Sequence, residues 1–567
     1  MTELTDPLPL ACGQILPNRL MKSALSEGLA DRSSAPDERL GRLYRRWGSG
    51  GYGLVVTGNV MVDRGHLGEV GNVVVEDDRD LDALTLWAKA TQDGGAPIWM
   101  QLNHPGRQAN PLVTGKHPVA PSPVGLSVPG LAVPRELTEA EILDIVDRFA
   151  TAARVAETAG FDGVQIHGAH GYLVSQFLSP RTNQRTDGWG GDPERRMRFL
   201  LEVIHRIRIS VSPGFAVGVK LNSADFQRGG FTEEESRAVV ERLATQQIDL
   251  IEISGGSYES PAMMGRPTAS ERTRTREAYF LDYAQAVRAT AGHVPLAVTG
   301  GFRSAPAMRE AVGSGACDVV GIGRPAAVVP GAAADLLAAR AERLDSPQIS
   351  LNLPRRAARI AAVKALDGAL DLQWHTDQLQ RMGAGSEPDP SRSPWLTAAS
   401  TVRHHGVDAF RNPKRGIDTA AAGGRGLRKF RFERAVGRYL ANPAVRALGR
   451  AGVRTSIATE LETTGRRTGE ARRVPVAASF DPTGAWLICQ HGMRSGWGLN
   501  IAADPVVRIR QGDRWRRGLA RLHPDDDVTA RARTFAPVPF LGCLSVAAFR
   551  TLQSTPISVR VTFTDEE

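Results

Sequence analysis

The segment Phe161 to Leu173 reads FDGVQIHGAHGYL and sets His167 and His170 three residues apart, with Tyr172 close behind. Two imidazoles at this spacing can share a metal ion, settle as a buried pair, or grip an oxygen that is gaining charge. A phenol beside them can hand over a proton. A metal would need more ligands. No acidic or cysteine set stands at matching positions, and Cys12, Cys317, Cys489 and Cys543 are far apart, so no metal is expected. Farther along, TGGFR supplies Gly300 and Gly301, and GIGRP supplies Gly323 and Arg324. Backbone N–H groups reach an anion best at glycine, and arginine adds a charged fork, so these motifs read as phosphate binding. Lys220 in VGVKLN serves either as a Schiff-base amine or as a fixed cation facing an electron-rich ring. Gln101 in QLNHPGRQA can both donate to and accept from an imide edge. A phosphate cradle, an amide and a cation together suit a phosphorylated flavin, whose N1/C2 oxygen side gains negative charge on reduction.

One scaffold must bring these groups together. Short β-rich runs occur at 20–26, 52–60, 97–103, 163–168, 216–222, 249–256, 295–301 and 318–325. Helical periodicity fills most intervals, as in TEAEILDIVDRFATAARVAETAG (138–160) and TEEESRAVVERLATQ (232–246). Eight apolar strands separated by helices predict a (β/α)8 TIM barrel, with an open doubly wound sheet as the alternative. In a TIM barrel the chemistry sits at the C-terminal strand ends, and phosphate sites favour the loops after the last two strands. The histidines, Lys220 and both glycine motifs fall at those ends.

The segment FDGVQIHGAHGYLVSQFLSPRTNQRTDGWGGDPERRMRF resembles the signature of the Old Yellow Enzyme family, the FMN-dependent NAD(P)H:flavin oxidoreductases. NRLMKSALSEG, QLNHPGRQA, VAPSPV, VGVKLN, EISGG and DVVGIGRP follow the family's order, and the resemblance covers about residues 5 to 405. It implies that Ser23, Ala24, Leu25 and Ser26 pass beside the flavin ring, that Gly58 and Gln101 contact it, and that Lys220 lies near its N1. Gly300, Gly301, Gly323 and Arg324 would hold the phosphate. His167 and His170 would bind the carbonyl oxygen of an activated alkene while Tyr172 donates a proton. Three positions depart from the family pattern: Lys220 for a commoner arginine, Ser26 for threonine or cysteine, and Trp189 for tyrosine. The downstream cysteine cluster of the iron–sulfur relatives has no counterpart.

GSEPDPSRSP (385–394) and AAAGGRG (420–426) have loop composition, with Trp374 before the first and Trp395 just after it. The expected division is a flavin domain at 1–405, a linker at 406–428 and a second domain at 429–567. The latter is strand-rich, with runs at 455–465, 472–480, 485–492, 505–522 and 557–563, and predicts a small split β-barrel. Residues 425–567 hold 24 Lys/Arg against 13 Asp/Glu, so the net charge of +9 belongs to this piece and the rest is slightly acidic. Nucleic acid or a polyanionic small molecule would each answer that charge. The run LETTGRRTGEARRVPV followed by WGLNIAADPVVRIR resembles the deazaflavin-dependent nitroreductase family, whose coenzyme F-420 carries a phosphate and an oligoglutamate tail. The likeness implies a cofactor site with Arg466, Arg467, Arg473, Trp497 and Asn500; FMN, haem or no cofactor are the alternatives. No tyrosine follows Tyr439, so the tyrosines that nitroreductases use for substrate are missing.

The resulting expectation is an ene-reductase that moves hydride from reduced FMN to an α,β-unsaturated carbonyl, with NAD(P)H or reduced deazaflavin as electron source. The alternatives are a Schiff-base aldolase built on Lys220, or an ene-reductase joined to a non-catalytic binding module. Scattered cysteines and the absence of a signal-like start or a run of roughly 20 apolar residues suit a reducing cytoplasm and no membrane partner. The sequence carries no reading of oligomeric state.

Overall fold

The structure, a computed structural model, describes residues 2–126, 132–255, 280–344, 346–350, 361–394, 396–397, 400, 458–466, 468–489, 492–512, 514–533 and 556–564. These fall into two compact units, one up to residue 400 and one from residue 458. The expected linker at 406–428, Trp395 and Arg467 lie outside the described residues.

In the first unit eight strands are buried along their whole length except at Thr299: β1 Leu20–Lys22, β2 Leu54–Val56, β3 Ile98–Asn103, β4 Gly163–Gly168, β5 Ala216–Asn222, β6 Leu250–Ser254, β7 Leu296–Thr299 and β8 Val319–Ile322. Each pairs in parallel with the next, and β8 returns to β1, so the sheet closes. Both faces of such a sheet are covered, which explains the nearly unbroken apolar runs. The connecting helices are α1 Glu38–Gly48, α2 Leu81–Gln92, α3 Glu139–Thr158, α4 Leu173–Leu178, α5 Pro193–Arg208, α6 Glu233–Ala244, α7 Leu281–Val287 and α8 Ala305–Gly313. The two helices expected from periodicity start at capping boxes, Thr138 with Glu141 and Thr232 with Glu235, which satisfy the first free N–H groups. A longer helix, α9 Ala361–Gly383, follows the barrel. It carries the buried Trp374, whose Nε1 donates to the Arg392 carbonyl at 2.9 Å.

Strand parity sorts the barrel interior into layers. Met21, Leu54, Trp99, Ala216, Leu250, Ala297 and Val319 form one apolar cluster with Leu8, Leu10 and Leu16 of the N-terminal hairpin. Farther along the strands the same parity gives Ser23, Gln101, Gln165, Lys220, Glu252 and Thr299. The interior therefore turns polar toward the C-terminal strand ends. Trp99 fills the space because glycines stand on β4 and β5: a Cβ at Gly163 would sit 2.9 Å from the indole nitrogen and one at Gly218 2.8 Å from the ring.

The second unit is a closed antiparallel barrel of β9 Ala458–Thr464, β10 Ala471–Asp481, β11 Gly484–Cys489, β12 Val506–Gln511, β13 Arg514–His523 and β14 Ile557–Phe563. The order is β9-β10-β11-β14-β13-β12, with β12 closing on β9. The run read from 505 to 522 divides into the hairpin β12–β13. Leu461, Val476, Leu487, Ile509, Val559 and Val561 fill the interior, and helix α10 Gly496–Ala503 adds Ile501 and Trp497. Among the described residues Cys12, Cys317 and Cys489 form no disulfide, and no helix is long and apolar enough to cross a membrane.

The packing around Trp99 gives the first prediction. Gly218→Val should force the indole out of place and cost about 1–3 kcal/mol, read as a lower urea midpoint with an unchanged m-value.

Candidate active site

Residues from all eight barrel strands, or from the loops directly after them, stand at the C-terminal end. Four members of the polar layer form one hydrogen-bonded chain. Lys220 Nζ lies 2.8 Å from Glu252 Oε1, Gln165 Nε2 donates to Glu252 Oε2 at 2.8 Å, and Gln101 Nε2 donates to Gln165 Oε1 at 2.7 Å. All four side chains are buried. A carboxylate only accepts, so Glu252 dictates that Gln165 turns its NH2 inward and its carbonyl to Gln101. Gln101 must then give its own NH2 to Gln165, and its carbonyl oxygen is set opposite that bond. Gln165 and Glu252 were not singled out in the sequence. Their signal is a polar residue at the inward parity of an otherwise apolar strand, in GVQIHG and LIEIS.

His167 ends β4 and His170 and Tyr172 follow in the turn before α4. The rings are close: 5.1 Å between the His167 and His170 centroids, 4.8 Å between His167 and Tyr172. The Ala169 N–H donates to His167 Nδ1 at 3.2 Å, which leaves the ring proton of the neutral tautomer on Nε2. His170 adopts the left-handed conformation at φ 61°, with its N–H on Asn222 Oδ1 and its Nε2 2.9 Å from Ser254 Oγ. Burial holds both imidazoles well below their ordinary pKa. The neighbouring His170 and Lys220 push His167 further down, and Lys220 does the same to His170. Both are therefore neutral hydrogen-bonding groups near pH 7. Asn59 Nδ2 donates to the Tyr172 oxygen at 3.2 Å. Among the described residues no carboxylate joins the two histidines.

Around the rim, Ser23 Oγ bonds Thr299 Oγ1 at 2.8 Å, and Ala24, Leu25 and Ser26 are half-buried along the loop after β1. Ser26 Oγ donates to the Glu69 carboxylate. Gly58 is occupied differently from a simple ring contact. Its N–H goes to Glu27 Oε1 at 2.9 Å and lies 3.0 Å from the Tyr44 oxygen, and a Cβ there would meet Glu27 Oε2 at 2.1 Å. Burial raises the Glu27 carboxyl, opposed by the nearby Lys22 and the Tyr44 hydrogen bond. Lys22, wholly buried behind β1, is lowered to about 7 by its own burial and sits 3.9 Å above the Trp47 ring.

After β7, Gly300 and Gly301 have φ of 132° and 94°, conformations open to glycine, and both are half-buried. A Cβ on Gly323 after β8 would meet nothing closer than Leu25 at 3.9 Å, so space lies open over it. Arg324 Nη1 bonds Asp371 Oδ2 of α9 at 2.8 Å, a partner the sequence did not reveal. These features fit a phosphate, with Arg324 held in place by Asp371.

Elsewhere Asp63, His66 and His104 converge, with His66 Nδ1 2.5 Å from Asp63 Oδ2 and His104 Nε2 3.8 Å from it. His104 Nδ1 accepts from the Gly106 N–H at 3.1 Å, so Nε2 carries the proton of the neutral ring. A metal-ligating histidine needs the opposite arrangement. Of the two rings, only that of His66 lies within hydrogen-bonding distance of the Asp63 carboxylate.

In the second unit, Asn500 ties α10 to the arginine turn. Its Nδ2 donates to Thr463 Oγ1 at 3.1 Å, and its Oδ1 accepts from the Arg466 backbone and guanidinium at 3.4 and 3.3 Å. Trp497 is half-buried against the barrel core. Arg473 is on the outward face, paired with Glu462 at 2.7 Å and 5.0 Å from the Trp515 ring. Of the expected residues, Arg466 and Asn500 meet at the turn, while Arg473 is engaged on the sheet.

The barrel and its mouth are those of a flavin oxidoreductase of the Old Yellow Enzyme type. The chain belongs to the NADH:flavin oxidoreductase / NADH oxidase family, which residues 4–338 match. Residues 439–562 match the F420H2-dependent quinone reductase family. The chain is 43% identical over 355 residues to the NADH-dependent flavin oxidoreductase of Hypocrea jecorina (strain QM6a), covering 58% of this chain and 88% of that protein. A second, from Talaromyces variabilis, is 38% identical over 409 residues, covering 67% and 98%. The solved structure of the old yellow enzyme homologue from Zymomonas mobilis superposes with a TM-score of 0.53 at 26% identity, covering 61% of this chain and 95% of that one.

The buried chain of four side chains is testable by removing its charge source. Glu252→Gln leaves Lys220 as an uncompensated cation and should cost about 3–5 kcal/mol in chemical denaturation. Glu252→Gln with Lys220→Met should recover much of that loss.

Proposed function

We propose that the first unit reduces activated alkenes conjugated to a carbonyl, using FMN, and that the second unit binds a polyanionic deazaflavin. The observation that supports the first reading is the convergence of His167, His170 and Tyr172 on one mouth with the Lys220–Glu252–Gln165–Gln101 chain and the glycine cradle. Residues present suit FMN. Gly300, Gly301, Gly323 and Arg324 would hold its phosphate, and Gln101 and Lys220 would meet the polar edge of its ring. Ser23, Ala24, Leu25, Ser26 and Gly58 line the loop ends that would enclose that ring.

When bound in its reduced form, FMN supplies a hydride to the β-carbon of the substrate. The chain's own residues handle the charge that results. As the β-carbon takes hydride, negative charge grows on the carbonyl oxygen, and neutral N–H groups from His167 and His170 placed there stabilise it without needing to titrate. Neutral imidazoles also leave the site without a competing acid. Tyr172 then gives its proton to the α-carbon. Lys220 is committed to an ion pair with Glu252, whereas a Schiff-base lysine needs an unpaired amine, which weighs against the aldolase.

For the second unit, the family's name and the Arg466–Asn500 turn support a phosphate-bearing deazaflavin. The strong positive charge of this piece suits a polyanionic tail. A reduced deazaflavin held there would be a second electron source beside NADH.

Two measurements test these readings. Replacing His167 and His170 together by alanine should leave FMN bound, while enone reduction falls more than about a hundredfold, the cost of losing an oxyanion donor. Normal enone reduction by the double variant overturns the assignment. In anaerobic stopped-flow, reduced F-420 should bleach the FMN absorbance of the full-length protein, and deletion of residues 429–567 should abolish that bleaching but not bleaching by NADH. Bleaching by NADH alone removes the electron-source role.

A further inference from the structure

We propose that Asn59 is a positioning residue for Tyr172, holding the phenol oxygen and stabilising the phenolate left once the proton has gone. The inference rests on the alkene-reducing reading above. Asn59 stands between Gly58 and the two-residue strand Val60–Met61, which pairs in parallel with Leu102 and Asn103 of β3. Its backbone is thus tied to the barrel on both sides: the preceding Gly58 N–H bonds Glu27 and the following strand joins the sheet. From this position Nδ2 reaches the Tyr172 oxygen at 3.2 Å.

The orientation of the amide is the informative part. Asn59 Oδ1 is buried and has no hydrogen-bond partner among the described residues. An unpaired buried acceptor is costly, and an apolar side chain would serve a purely structural role better. Turned over, the amide would bring Oδ1 to the phenol and capture its proton. As placed, the N–H faces the oxygen, so Tyr172 keeps its O–H for another acceptor. The ring is held on its other side by the 4.8 Å edge contact with His167.

The chemistry balances on groups already described. A hydride and its two electrons reach the β-carbon from the bound reduced flavin, which is thereby oxidised. The π electrons of the alkene form a new C–H bond between the α-carbon and the Tyr172 proton. The phenol O–H bond breaks, and its electron pair stays on the oxygen. Asn59 Nδ2–H then faces a developing anion, where a hydrogen bond is stronger than to a neutral phenol. A proton from solvent restores Tyr172.

The test uses full-length, FMN-loaded protein in stopped-flow, following three steps separately: reduction by NADH, reoxidation by 2-cyclohexenone, and reoxidation by ferricyanide, which needs no proton at carbon. Asn59→Ala should slow reoxidation by cyclohexenone about tenfold and leave the other two rates unchanged, the size expected for one hydrogen bond to a charged group. The alkaline limb of the cyclohexenone step should move to higher pH, because the phenol loses a donor to its anion. Asn59→Asp, of the same shape but with a carboxylate facing the phenolate, should move the limb further. Equal slowing of all three steps, or an unmoved alkaline limb, overturns the proposal. Tyr172→Phe separates this failure from that of the underlying reading. If Tyr172→Phe is slow with cyclohexenone while Asn59→Ala is normal, only the role of Asn59 falls. If Tyr172→Phe is itself normal, the proton-donor assignment falls with it.

Discussion

The ion pair between Lys220 and Glu252 organises the polar half of the barrel. Two charges fully removed from water must face each other at close range, and 2.8 Å between buried groups meets that demand. The remaining carboxylate oxygen then has to find a donor, which fixes Gln165, and Gln165 in turn fixes Gln101. The polarity of an amide that would touch a ligand is thereby set two side chains away. Such a chain is rigid because no member can turn without stranding another. The same ammonium also helps to keep the imidazoles of His167 and His170 uncharged. One buried pair thus governs both the face that would meet a flavin and the face that would meet a carbonyl.

The second constraint is conformational. Side chains alternate along a strand, so of the three groups only His167 is carried inward by β4 itself, and the turn must bring His170 and Tyr172 back to it. It does so by placing His170 in the left-handed region, with its N–H captured by Asn222 at the end of β5. A non-glycine residue there is uncommon and is retained where the surroundings over-determine it. Ser254, at the end of β6, holds the ring itself. Three adjacent strands therefore collaborate to place one imidazole.

Much of this was legible in the sequence, and for a physical reason. Parallel strands covered on both faces read as apolar runs, so the eight strand ends, and with them His167, Lys220, Gly300 and Gly323, could be located. The helices announced themselves through their period. What escaped has a common character: partners distant in sequence. Glu252 and Gln165 become visible only when strand register is known. Arg324 meets Asp371 across 47 residues, and Gly58 gives its N–H to Glu27 across 31. The arginine turn of the second unit was legible as a charged hairpin, but not its attachment to Asn500, which depends on where α10 lands. Arg473 illustrates the limit from the other side. Its neighbours in sequence suggested a shared anion site, while strand alternation turns it outward to Glu462.

The two units differ in how they handle charge, and that difference bears on what each can bind. In the first, charged groups at the mouth are compensated within the fold: Lys220 by Glu252, Arg324 by Asp371. A ligand there meets dipoles and oriented N–H groups more than net charge, which suits a site where charge appears only transiently, in the transition state. In the second, Arg473 and Arg508 share the single carboxylate of Glu462 on the outer face of the sheet, and acidic residues are outnumbered nearly two to one along the piece. The surplus creates a long-range field that draws in anions before contact, falling off over about 10 Å at ordinary ionic strength. Transition-state stabilisation calls for the first arrangement, and capture of a highly charged ligand from solution calls for the second.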